Sequence, residues 1–395
     1  MQNKTGQKPR LTGLAKLFKV AFDGQDLTQL GTDLLNRAQT DVNDAEALMD
    51  LSIVLQLKYQ KEIALGVQAQ ALKIKTHYCL PAEGTPSIKL LALMAPGDIT
   101  TNTPLEFLVE NSSISLDMIY IGQRLPLPKT LPEHDVAFLA IGESTDTRPI
   151  LEGLTKIVDQ WPCPLLNQPR NILKTSREAA PDYLASVDSI VMPSSQRIGR
   201  KTLKANEIPS PPFIIRPVDS HAGRGLAKIE RISDLNDYLS KVQDSKFFIS
   251  PFIDYRSSDG LYRKYRVVLI SGIPYACHMG ISQNWMIHYL NAGMTESEEK
   301  RREEEKFMTH FDTDFALRHQ KSLKSLQDTF DLDYLVIDCG EMQDGKLLIF
   351  EIDTGAVVHA MDPPDIFPYK IPQMKKVFSA FHDMLARVAN DRKDL

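Results

Sequence analysis

Two short apolar runs late in the chain carry acids where core strands should be apolar. The run 335–338 ends in Asp338, and the run 347–353 contains Glu351 and Asp353. Asp344 and Gly345 between them read as a turn. An unpaired buried carboxylate is expensive, so these acids need a cation or strong donors. Three oxygen-bearing side chains converging from adjacent strands suit a hard divalent metal. Glu351 and Asp353 share a strand parity and so face the same way. Acids exposed at strand ends are the competing reading; the shared face and apolar flanks favour a metal.

Four upstream segments could serve the same site. Arg216 ends a strand and precedes a loop with His221, Gly223, Arg224, Gly225 and Lys228. Glycines let backbone amides close on phosphate oxygens, and the basic residues neutralise charge. The spacing is neither G-x-G-x-x-G nor G-x-x-x-x-G-K-[ST], so an ordinary basic-rimmed hairpin turn is equally admissible. Next, Ser250, Pro251, Phe252 and Asp254 lie where an apolar strand stops, and its free backbone groups could meet an adenine edge. Alternation puts Lys264 and Arg266 on one face of a third strand, where an entering Arg wants an anion or an ion pair with Glu351. Finally, His278, Ser282, Trp285, His288 and Tyr289 crowd a short segment that reads as a substrate pocket. The two histidines lack the spacing of a helical zinc site.

The elements that must position these residues follow from periodicity. Residues 1–26 read as a loosely ordered arm with an amphipathic piece at 14–22. From 27 to 80 the pattern is mainly helical, with apolar residues at 3–4 spacing and the small residues Ser52, Ala64 and Ala71 at a close helix crossing. It resembles one tetratricopeptide-type hairpin, with Leu48 where that motif usually has Trp. One hairpin cannot form a solenoid, so an appendage packed on the rest is the simpler reading. After a linker, strands at 89–94, 115–120, 135–141 and 164–167 alternate with helices over 87–170. That order implies a parallel sheet with its ligand edge at the strand carboxyl ends. Over 171–390 the texture changes to strands and hairpins. The charged run 295–328 reads as an exposed helical face, and a helix at 373–388 ends the pattern.

Taken in order, these pieces resemble the ATP-grasp superfamily, especially its glutathione-synthetase-like and ribosomal-protein glutamate ligase branches. The resemblance covers about 88–390 and rests on order and spacing. It implies a mixed α/β fold in which two sheets hold ATP, after a preceding α/β substrate domain. Arg216 stands where the family usually has a phosphate-binding Lys, a change that keeps charge and alters geometry. The loop from His221 to Gly225 matches the flexible phosphate loop, and the segment ending in Asp254 matches the adenine hinge. Arg266 matches a strand Arg near acyl-phosphate oxygens. Asp338, Glu351 and Asp353 match the metal-binding Asp and Glu-x-Asn, with Asp353 replacing Asn and adding a negative charge. The cofactors implied are ATP and one or two Mg2+, with Mn2+ as a substitute. The activity implied is a carboxylate–amine ligase working through an acyl phosphate, with His278 or His288 taking the amine proton. A kinase-like phosphotransferase and a non-catalytic scaffold with a partner-binding helical front are the alternatives.

Composition bounds the rest. The 395 residues suffice for two or three domains, and 43% hydrophobic residues supply a sizeable core. A net charge of −5 argues against nucleic-acid binding. Four scattered cysteines without a C-x-x-C pair, no signal-like N-terminus and no long apolar run suggest a cytoplasmic protein without a membrane partner. The expected partners are small-molecule or peptide carboxylates and amines. A homo-oligomer and a protein partner for the N-terminal helices stay open.

Overall fold

A computed structural model describes residues 10–203, 208–218, 220 and 223–391. Four helices come first: α1 (Leu14–Phe22), α2 (Thr28–Thr40), α3 (Ala45–Leu57) and α4 (Lys61–Ile74). The α3 start is fixed by Asp44, whose side chain accepts the Ala47 N–H at 2.8 Å and pairs with Arg37 at 3.0 Å. Of the stretch read as a loose arm, the described part, from residue 10 onward, is docked. Gly13, at φ +87°, turns the chain into α1, a conformation that suits glycine. The buried Asp50 accepts the N–H groups of Thr12 and Gly13 at 2.8 and 3.0 Å, and Glu106 accepts that of Ala15 at 3.1 Å. Carboxylates at a helix start satisfy free N–H groups and complement the helix dipole. Leu17, fully buried, completes the anchor.

The first sheet has the order β1-β3-β2-β4-β5, from β1 (His77–Leu80), β2 (Ile88–Met94), β3 (Ile114–Tyr120), β4 (Val136–Leu139) and β5 (Leu165–Leu166). Strands β2 to β5 are parallel, as the strand–helix alternation requires. The edge strand β1, within the stretch read as helical, is antiparallel to β3. The short β6 (Ile190–Val191) leaves this layer and joins the last sheet in parallel with its outer strand.

A four-stranded antiparallel sheet follows, in the order β7-β10-β8-β9: β7 (Gln196–Gly199), β8 (Phe213–Pro217), β9 (Ala227–Ile229) and β10 (Lys246–Pro251). With the helix Ile232–Lys241 it buries Phe213, Ile215, Leu235, Leu239 and Phe247 in a cluster separate from the main core. The last sheet runs β12-β11-β13-β14-β6, with β11 (Tyr262–Ile270), β12 (Ile273–Ser282), β13 (Tyr334–Glu341) and β14 (Leu347–Asp353). Its first hairpin turns at Ser271 and Gly272, both at positive φ, which matches a tight two-residue turn. Its other face is covered by helices that include Glu298–Thr309 and Lys370–Asp391. The charged run is not wholly exposed: Glu304 is fully buried and accepts the Met279 N–H at 2.9 Å and the Tyr369 hydroxyl at 2.6 Å. Among the described residues no helix is long and apolar enough to cross a membrane.

Candidate active site

The four-stranded sheet and the last sheet enclose a cavity of about 550 Å³. Strands β8 and β10 supply Arg216, Ser250 and Pro251, and Phe252 follows directly. Strands β11 to β14 supply Lys264, Arg266, His278, Asp338, Glu351 and Asp353 from the opposite side. Period-two alternation explains the pairing on β11. Lys264 and Arg266 face the cavity, while Tyr265 packs between Phe307 and Phe315 on the other face.

The ion pairs follow from strand register. Arg266 lies directly opposite Asp338, not Glu351. Its Nε and Nη2 reach the two Asp338 oxygens at 2.8 and 3.0 Å, and its Nη1 donates to the Val357 carbonyl at 3.0 Å. Lys264 Nζ adds a contact to Asp338 at 2.7 Å. Burial alone would raise the Asp338 pKa, but Arg266 and Lys264 overcome it and hold the carboxyl far below its usual range. Glu351 instead pairs with Arg177, a residue that no local motif marks. Burial opposes its charge too, and Arg177 and Arg216 together keep it ionised. Arg216 feels burial and the neighbouring Arg177, which bring it down to about 10. Two guanidinium groups crowded in this way favour an arriving anion.

Asp353 is the strained member. Burial and the adjacent Glu351 push its carboxyl up to about 6, against the pull of the Gly355 N–H that it accepts at 2.7 Å. A like-charged pair on one strand face is the kind of donor set a divalent cation relieves, so Glu351 and Asp353 fit such an ion. Asp338 borders the same cavity but has both oxygens engaged by cations. Among the described residues no three His, Cys, Asp or Glu side chains already form a metal cage. A folded pKa raised above the unfolded one gives stability that is present below about pH 4 and lost as pH rises through about 6. Asp353→Asn is therefore expected to melt higher than wild type near pH 7.5 in EDTA, and to lose that advantage near pH 4. An unchanged difference at both pH values would show that the carboxyl is not strained.

The histidines differ in setting. His278 borders the cavity, and its Nδ1 is buried without a partner. Burial, then Arg266 and Lys370, hold it neutral, well below the usual imidazole range. Its ring lies 4.5 Å from that of Tyr289. His288 also borders the cavity and is lowered by burial and by Lys264. Trp285 meets Phe252 edge-on at 5.8 Å.

Several expected residues lie elsewhere. Asp254 is tied to its neighbour Arg256 and does not border the cavity. Ser282 instead caps a turn, accepting the Asn284 N–H at 3.0 Å. Arg224 points to Asp244 at 3.5 Å, and Lys228 pairs with Glu230 while its Nζ sits 4.1 Å over the Phe252 ring. Gly223, at φ +74°, does border the cavity. Gly225 does not, but at φ +64° a Cβ there would meet Pro217 at 2.8 Å, so the loop requires glycine. His221 lies outside the described residues. Residues from distant segments complete the lining: Phe18 and Phe22 of α1, Ile99, Thr100, His359 and Asp362. Their separation in the chain hides them from any local motif.

No protein-family profile matches this chain, and no curated protein does. Among solved structures it is similar to the D-alanine-D-alanine ligase from Coxiella burnetii, at 12% identity and TM-score 0.44, covering 78% of this chain and 96% of that one. The VanG D-Ala:D-Ser ligase from Enterococcus faecalis compares at 12% identity and TM-score 0.45, covering 78% of this chain and 100% of that one. The D-alanine–D-alanine ligase from Bacillus anthracis complexed with ATP gives 12% and 0.44, over 79% and 99%.

Proposed function

We propose that this protein is an ATP-dependent ligase joining a carboxylate to an amine. The observation that carries the proposal is the charge arrangement of one cavity between two sheets. Arg177, Arg216, Lys264 and Arg266 meet Asp338, Glu351 and Asp353 beside an apolar slot that includes Ile214, Phe248 and Phe252. The slot suits a base, and the four cations suit a triphosphate and a carboxylate. Glu351 and Asp353 would hold Mg2+, which neutralises phosphate charge when bound.

In this reading the substrate carboxylate attacks the γ-phosphorus of ATP, and ADP leaves with the bond electrons. The resulting acyl phosphate is attacked by the amine. Phosphate leaves, and the amine nitrogen gives up a proton. Arg216 and Arg177 orient the phosphates, and Arg266, fixed between Asp338 and the Val357 carbonyl, presents charge at the acyl end. His278, which borders the cavity and is held neutral, is our candidate to accept that proton. The chain would thus divide into an α1–α4 front, a parallel α/β unit over 87–170 and a nucleotide-binding unit over 171–390.

The test is a screen of carboxylates and amines for Mg-ATP-dependent phosphate release, with mass spectrometry of the products. Sustained release should need both substrates. Release supported by a carboxylate or an alcohol alone, with a phosphorylated product, would replace the ligase with a phosphotransferase.

A further inference from the structure

The cavity has a second end, away from the cations that crowd Glu351. Its walls come from α1 and from the loop that follows β14. Phe22 meets the His359 ring edge-on at 5.3 Å, and Phe18 lies 6.2 Å from it. Phe107 backs both, 5.4 Å from Phe18 and 6.4 Å from His359. The wall is uncharged. Burial draws His359 down to about 4, and its Nδ1 accepts the Met361 N–H at 3.1 Å. It is also fixed, because Asp50 and Glu106 bind the start of α1 and Arg266 binds the loop through the Val357 carbonyl.

Charge divides the cavity into two ends. Around Arg177, Arg216, Lys264 and Arg266, three carboxylates face four cations, leaving one positive charge over. At the aromatic end the buried Lys370 lies 3.3 Å from Glu304 and 3.2 Å from Asp362, and it contacts the Tyr289 hydroxyl. Lys370 is shared between the two acids, burial disfavours the Glu304 charge, and Lys370 takes only Oδ2 of Asp362. Asp362, whose side chain is 12% exposed, is the acid of this pair that borders the cavity. The cationic end favours an anion, whereas Asp362 at the other offers a carboxylate acceptor to an N–H donor.

We infer that the aromatic end seats the amine substrate, with its neutral amino group toward Asp362 and Tyr289 and an apolar side chain, aromatic or branched, between Phe22, Phe18 and His359. The inference deepens the ligase reading and rests on it. It gives α1 a role as a specificity wall. A small amine such as glycine would leave these rings facing water, whereas a large apolar side chain covers them.

The probes are L-phenylalaninamide and glycinamide, titrated calorimetrically into the full chain with Mg2+ and a non-hydrolysable ATP analogue. Phenylalaninamide should bind at least about tenfold more tightly. Phe22→Ala should abolish the preference and Phe22→Leu should keep most of it, each measured with the analogue at saturation. Equal binding of the two amides by a protein that binds the analogue would overturn the inference, as would a preference that survives Phe22→Ala. If the Ala variant does not melt cooperatively, the wild-type preference and the Leu variant decide. A preference that holds in a protein releasing no phosphate with any carboxylate–amine pair would sink the ligase reading and keep the amine subsite.

Discussion

Asp338→Asn is expected to destabilise the protein by about 3–5 kcal/mol, since removing one partner from a buried ion pair leaves its charge uncompensated. Two cations depend on this one carboxylate. Its side chain is 5% exposed, and Lys264 and Arg266 reach it at 2.7 and 2.8 Å. Asn can accept hydrogen bonds but supplies no counter-charge, so two adjacent cations would repel each other in a partly dry site. Arg266 would keep its bond to the Val357 carbonyl and one to the remaining amide oxygen, without the counter-charge. Denaturant unfolding checks this, and adding Lys264→Met to Asp338→Asn should recover part of the loss. A single-variant loss below about 1 kcal/mol would show that water already screens the group. Lost turnover in Asp338→Asn is therefore ambiguous, because the substitution removes a structural counter-charge along with a candidate ligand.

Glu351→Gln separates the two effects. Its side chain is 34% exposed and its direct ionic partner is Arg177, itself 24% exposed, so water can take over much of what the carboxylate does for stability. The same change removes half of the carboxylate pair that would hold the metal. Nucleotide-dependent phosphate release is expected to fall by about 10²–10³, the scale of losing one well-placed electrostatic group. Melting should stay close to wild type. Undiminished turnover in a folded Glu351→Gln protein would remove this strand from the chemistry.

Local patterns in the sequence carried the strands well. The acids at 338, 351 and 353 do fall on paired strands, with Asp338 opposite Glu351, and the parity of Glu351 and Asp353 brings both to the cavity. Register between distant strands is another matter. Nothing near Arg266 specifies that Asp338 rather than Glu351 will stand beside it, because the β11–β13 pairing joins residues 72 apart. Arg177 is 174 residues from its partner Glu351, and α1 is further still from the loop at His359. Asp254 and Ser282 sit at strand ends, where the chain can turn either way. Glu304 belongs to a run of charges whose helical period buries one of them, and only tertiary packing selects which.

The four-stranded sheet keeps its own apolar cluster, which shares no residue with the core beneath the last sheet. Cohesion between that sheet and the rest therefore rests on polar and edge contacts, such as Arg197 with Glu178 and Thr145, and Phe252 with Trp285. A ligand seated between the sheets would serve as an interlayer, adding to those few contacts. Occupancy and local opening then become one linked equilibrium, in which every increment of affinity is also an increment of protection for the smaller layer.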